Sequence, residues 1–142
     1  MADRTAHVTW SGSLMEGAGT ITSVGSGAFG PLDVTWGARA EESDGLTSPE
    51  ELIAAAHAAC FSMALSHTLA QGGTPPDKLD VDATVTFVPG TGITKIALEV
   101  RASVPGLDEA SFFEAAEGAK VDCPVSKALA SVPEITLNAS LA

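Results

Sequence analysis

The sequence predicts an α+β fold, and three observations carry that prediction. A capped, almost uncharged helix occupies the middle of the chain, stretches of two-residue alternation lie on both sides of it, and no alternating strand–helix units occur. The order of elements reads β-β-β-α-β-β-α-α-β, with antiparallel sheets rather than a parallel one. At 142 residues and 45% apolar side chains, a single domain over residues 1–142 with its own core is expected.

Ala6–Trp10 alternates and reads as a first short strand, turned by Ser11-Gly12-Ser13; Gly19–Val24 offers a second. After a glycine-rich loop, Leu32–Ala38 reads as a third strand that delivers Arg39 at its end. Trp10 and Trp36 are expected to pack on this sheet. Thr47–Gln71 reads as the long helix, with Ser48 as N-cap, Pro49 in the first turn and Glu51 as capping-box partner; Gly72-Gly73 stops it. Such a helix is roughly 35 Å long. Its body is apolar all round, so it is expected to be covered on every side, with lean alanine-rich faces suited to close helix–helix approach.

Leu79–Val88 and Ile93–Val104 alternate as a half-buried antiparallel hairpin. The faces expected together are Leu79, Val81, Ala83, Val85 and Phe87 on the first strand, and Thr94, Ile96, Leu98, Val100, Ala102 and Val104 on the second. Asp108–Lys120 reads as an amphipathic helix with Phe112, Phe113 and Ala116 inward. Pro124–Ser131 follows as a short helix opened by proline, and Ile135–Leu141 as a last strand.

Charge excludes some functions. Eighteen acidic residues against seven basic ones give a net charge of −11, the wrong sign for a nucleic-acid backbone or an anionic membrane. The central apolar run is read as too short for a membrane span, and it carries His57. Two cysteines, with no secretory signal read at the N-terminus, lead us to expect a reducing cytoplasm, where a transient redox pair is compatible and a permanent disulfide is not expected.

The two thiols differ. Cys123 lies at the mouth of a helix, where free N–H groups favour a thiolate, so local physics selects it as the reactive cysteine. Cys60 sits in the middle of an apolar helix, where burial raises a thiol pKa, and on local physics it reads as a small core residue. His57 shares a helix face with Cys60. A Cys–His catalytic pair, or a metal held by His57, Cys60 and Cys123, are weaker alternatives to a packed, hydrogen-bonded histidine, because metal sites favour closely spaced ligand pairs.

The run SPEELIAAAHAACFSMAL, followed by a second cysteine in KVDCPVSKAL, resembles the OsmC/Ohr family of thiol-dependent peroxidases, and its OsmC branch in particular. The resemblance implies an OsmC-like fold in which antiparallel sheets surround two long central helices of an intertwined homodimer. It implies Cys60 as the peroxide-attacking cysteine, Cys123 as the resolving cysteine, and Arg39 and Glu50 as the charged pair that tunes the site. It also implies organic hydroperoxides as substrates, with hydrogen peroxide as a further candidate, a lipoyl-type or small dithiol as reductant, and no metal or organic cofactor. On one helix, Glu50 lies about 15 Å from Cys60, farther than an arginine conveniently bridges. The charged pair serving a given Cys60 is therefore expected from the other subunit. The rival readings are a non-enzymatic small-molecule binder and a disulfide-based redox sensor on the same scaffold. Loss of both thiols with peroxide excludes the first; fast turnover with a dithiol excludes the second.

Overall fold

The computed structural model describes all 142 residues, and the chain divides into two compact units, Met1–Leu52 and Ile53–Ala142. In the first unit, β1 (Ala6–Ser11), β2 (Ala18–Val24) and β3 (Leu32–Val34) form an antiparallel sheet in that order. Trp10 pairs with Gly19, and a Cβ at Gly19 would come within 2.6 Å of the Trp10 ring, so the indole lies where only glycine leaves room. The third strand is shorter than its sequence suggests. Thr35 turns its hydroxyl onto the Ala38 N–H at 3.1 Å and caps a helix, α1 (Trp36–Ala40). Arg39 therefore stands on a short helix and not at a strand end.

The long helix α2 runs from Pro49 to Gln71. Ser48 caps it, accepting the Glu51 N–H at 3.1 Å. The reciprocal half of the capping box is not made, because the Glu51 carboxylate takes the Thr47 hydroxyl instead. At the other end, Gly73 adopts φ +88°, while Thr74 N–H reaches Leu69 O and Gly73 N–H reaches Ala70 O. That is a Schellman stop, which an L side chain at Gly73 would strain.

In the second unit, β4 (Lys78–Val88), β5 (Gly92–Ser103) and β6 (Glu134–Leu141) form a sheet in sequence order. β4 and β5 pair antiparallel as the hairpin, but β6 runs parallel to β5. An all-antiparallel sheet was expected. The difference arises because α3 (Glu109–Asp122) and α4 (Pro124–Ala128) carry the chain back to the starting end of β5, the crossover a parallel pair needs. Two boundaries move as well: α3 continues through Asp122, and α4 ends at Ala128.

The core of this unit joins Phe61, Leu65 and Leu69 of α2, alternate residues Ile96–Ala102 of β5, and Phe112, Ala116 and Ala119 of α3. Phe113, expected inward, is exposed. The buried residues of α3 follow i, i+4, i+7 spacing, and the next residue after Phe112 is turned about 100° away.

α2 is not covered on every side in the single chain. His57, Phe61, Leu65 and Leu69 are buried, whereas Ala55, Ala56, Ala59 and Met63 are exposed, Met63 at 73%. At 23 residues α2 is long and apolar enough to meet the dimensions of a membrane crossing, so the reading that it is too short fails on length. One face of it nevertheless forms part of a protein core.

Candidate active site

The second unit brings the two cysteines together: the Sγ atoms of Cys60 and Cys123 lie 3.0 Å apart, and neither is in a disulfide. Cys60 projects from the middle of α2. Cys123 is the hinge between α3 and α4, closing one helix and opening the next. Its N–H bonds Ala119 O at 2.9 Å and its carbonyl accepts Lys127 N–H at 3.0 Å, so both its backbone groups are fixed by the flanking helices. Pro124 in the first turn of α4 costs no hydrogen bond there and sets the hinge.

A second rung lies alongside the first. His57 Nε2 is 2.7 Å from Ser126 Oγ, and both residues are buried. His57 precedes Cys60 by three residues, and Ser126 follows Cys123 by three, so each helix presents one cysteine and one polar residue on the same face. The sequence reading missed Ser126. Its signal was the three-residue spacing in CPVS matching that in HAAC, which only the pairing of the two segments makes meaningful. His57 is hydrogen-bonded at a helix interface, and no group of three His, Cys, Asp or Glu side chains converges in metal-binding geometry.

The electrostatics of the pair are asymmetric. Burial pushes the Cys60 thiol up, and sharing a hydrogen bond and charge with Cys123 pushes it further, against a smaller opposing effect of the Val125 N–H. Burial also acts to raise Cys123, but the hydrogen bond from Cys60, the N–H and hydroxyl of Ser126 and the N–H of Val125 outweigh it and bring that thiol down. The Cys123 thiol is thus held below its ordinary value, the direction its place at a helix mouth suggests, and the Cys60 thiol above it.

Arg39 and Glu50 meet in the first unit. The guanidinium donates from Nε to both carboxylate oxygens, at 3.0 and 3.2 Å, and from Nη2 to Oε1 at 2.8 Å. This two-pronged grip fits arginine and not lysine. Glu50 is only 6% exposed, whereas the Arg39 side chain is one-third exposed. Beside Arg39 opens a cavity of about 250 Å³ lined by Trp10, Leu14, Val34, Thr35, Trp36 and Pro49, mostly apolar. The expectation that both tryptophans serve sheet packing is thus incomplete, since both also line this cavity.

Burial lowers the His57 pKa from its ordinary value of 6.5. The unfolded chain then takes up a proton before the folded one does, so this histidine contributes stability above pH 6.5 that is lost as pH falls towards the lowered folded value. The melting temperature is expected to drop between about pH 7 and about pH 5, and less steeply in His57→Gln.

The OsmC-like protein family profile matches residues 42–138. The chain is 44% identical over 135 residues to "Peroxiredoxin OsmC" of Escherichia coli (strain K12), covering 93% of this chain and 92% of that one. It is 35% identical over 92 residues to an "Organic hydroperoxide resistance protein" of Xanthomonas axonopodis pv. citri (strain 306), covering 64% and 65%. Among solved structures, the organic hydroperoxide resistance protein OhrB of Bacillus subtilis superposes with a TM-score of 0.64 at 26% identity, over 97% of this chain and 98% of that one. The α+β fold is of the OsmC-like class. The chain belongs to the OsmC family.

Proposed function

We propose that the chain is a thiol-dependent hydroperoxide reductase in which Cys60 is the nucleophile and Cys123 the resolving cysteine. The observation that carries the reading is the 3.0 Å approach of two free thiols held on separate helices. The Cys60 thiolate attacks the terminal oxygen of ROOH, the O–O bond breaks, and the alkoxide leaves as ROH after taking a proton. The sulfur, now oxidised by two electrons, carries the hydroxyl as a sulfenic acid. Cys123 displaces that hydroxyl as water and a disulfide forms. A dithiol of lipoyl or small-molecule type then reduces it by exchange. Two thiols and one ROOH thus become one disulfide, ROH and water.

Arg39 supplies the positive charge that the Cys60 surroundings call for, and stabilises the charge developing on the leaving oxygen. Glu50 orients the guanidinium. The pair reaches the Cys60 of a second copy of the chain, whose α2 lies along the uncovered Ala55, Ala56, Ala59 and Met63 face of this one; that gives the two central helices of a homodimer. The chain works there as a single OsmC-like domain in the cytoplasm. The apolar cavity beside Arg39 receives the organic arm of the substrate, which favours alkyl and aryl hydroperoxides over hydrogen peroxide. Names of relatives that concern peroxiredoxin activity and organic hydroperoxide resistance support this reading. No metal or organic cofactor takes part, since sulfur carries the redox change.

The test is a coupled assay comparing cumene hydroperoxide with hydrogen peroxide in the presence of dihydrolipoamide or dithiothreitol. Preferential, dithiol-dependent loss of the bulky peroxide is expected, and no consumption of either would refute the reading.

A further inference from the structure

At five residues, α4 is too short to persist as a helix unaided, so its neighbours must hold it where Cys123 is needed. Its start is tied to α3 by the Cys123 N–H on Ala119 O. Val125 and Leu129 pack against the core, an attraction without direction. Towards α2, apart from the contact of the two thiols, the side-chain hydrogen bond is that between Ser126 Oγ and His57 Nε2, at 2.7 Å.

Both partners are buried, and no protein atom meets the Nδ1 of His57. A ring proton on Nδ1 would be an orphaned buried donor. A proton on Nε2 instead leaves Nδ1 as a bare acceptor, which proteins tolerate better. The imidazole is therefore the donor of this bond and the Ser126 oxygen its acceptor. His57 precedes Cys60 by three residues and Ser126 follows Cys123 by three. The bond thus lies about one helical turn from the sulfurs on each side, and a shift of α4 that stretches it also carries Cys123 away from Cys60.

We propose that His57 and Ser126 are positioning residues that act as a tether: their hydrogen bond keeps α4 docked on α2, and so holds the Cys123 sulfur within bonding reach when Cys60 is oxidised. The disulfide forms only from the docked arrangement, so its rate scales with the docked fraction of the chain. In that step the Sγ–Sγ bond forms, the S–O bond of the Cys60 sulfenic acid breaks, and the hydroxyl leaves as water with the proton that Cys123 gave up. The oxidising equivalents are those already delivered by the hydroperoxide. Once made, the disulfide itself clamps α4, so the tether matters in the reduced and sulfenic forms. It is also protective, because prompt resolution leaves little sulfenic acid for a second peroxide to convert to sulfinic acid.

The inference rests on the two-cysteine reading, and one set of measurements separates their failures. Reduced wild type, Ser126→Ala, His57→Leu, the double variant and His57→Gln are mixed at one pH with one equivalent of cumene hydroperoxide, then with an excess, and acid-quenched at intervals. Mass spectrometry counts the sulfenic, sulfinic and disulfide forms. Hydrogen exchange follows the Lys127 and Leu129 amides, which bond Cys123 O and Val125 O, in the reduced and disulfide forms. Ser126→Ala is expected to slow disulfide formation by roughly tenfold, the scale of one buried hydrogen bond lost with its partner left unpaired, and to raise the sulfinic yield in excess peroxide. Its two α4 amides should exchange faster when reduced and regain wild-type protection once the disulfide is in place, a change confined to α4 that general loss of stability would not produce. His57→Leu should match Ser126→Ala, and the double variant should be no slower than either single one. His57→Gln, whose side-chain amide offers an N–H in place of Nε2–H, should stay near the wild type. If His57→Leu fails to fold, Ser126→Ala and His57→Gln carry the test unaided. A wild-type rate of disulfide formation in Ser126→Ala, with wild-type exchange in α4, would overturn the proposal while leaving the peroxidase reading intact. Wild-type protein that forms no Cys60–Cys123 disulfide would overturn both.

Discussion

Cys60→Ser should reduce hydroperoxide turnover to the uncatalysed background while leaving the fold in place. The substitution replaces sulfur by oxygen at a partly buried helix position, so packing changes little. The chemistry does not survive it, because a hydroxyl in this environment is not ionised near neutral pH and no longer supplies a soft nucleophile for the O–O bond. Cys123→Ser should behave differently. One equivalent of peroxide per chain is consumed, Cys60 remains as the sulfenic acid, and turnover stalls because no disulfide is available for the dithiol. Excess peroxide then drives Cys60 up the oxidation ladder to the sulfinic acid. Steady-state rates and intact-mass measurements distinguish the two variants: no added oxygen in the first, one and then two in the second.

Arg39→Met should lower kcat/KM by about 10²–10³, the size seen when a preorganised transition-state donor is removed. Burial holds the Cys60 thiol up, so removing the cation is expected to shift the pH dependence of peroxide consumption upward as well. A stability effect accompanies this one. Glu50 is 6% exposed and loses both prongs of its partner, a cost of about 1–3 kcal/mol. Adding Glu50→Gln to Arg39→Met should recover much of the melting temperature and none of the activity. Mixing unfolded Arg39→Met and Cys60→Ser chains and refolding them together should restore activity if the charged pair serves the partner's sulfur. Each hybrid dimer would then hold one complete site. No recovery, with hybrids demonstrated by native mass spectrometry, would place Arg39 and Cys60 of one chain in the same site.

What was legible in the sequence was what local signals encode. α2 could be read from Ser48, Pro49 and the Gly72-Gly73 stop, and the hairpin from its alternation, because caps and periodicity act over a few residues. The direction of β6 was not legible, since a strand's own pattern does not reveal which way its neighbour runs; that depends on the helical crossover before it. Arg39 was placed at the end of a strand because LDVTWGA alternates, yet the single hydroxyl of Thr35 caps a helix inside that stretch. Phe112 and Phe113 could not both face inward on one helix, and the pattern alone did not choose between them. At the site, Cys60 and Cys123 were marked by a family motif, whereas their local surroundings pointed to Cys123 alone as the reactive thiol. Ser126 stayed hidden because it acquires a role only when residues 69 positions apart meet.

The central claim is that the Cys60 and Cys123 sulfurs form one redox unit driven by hydroperoxide. Titrating free thiols before and after a single equivalent of cumene hydroperoxide, followed by peptide mapping, tests it directly. The account predicts that both thiols disappear together and reappear as one Cys60–Cys123 linkage that dihydrolipoamide reverses. Two thiols still titrating after the peroxide has been added would contradict it.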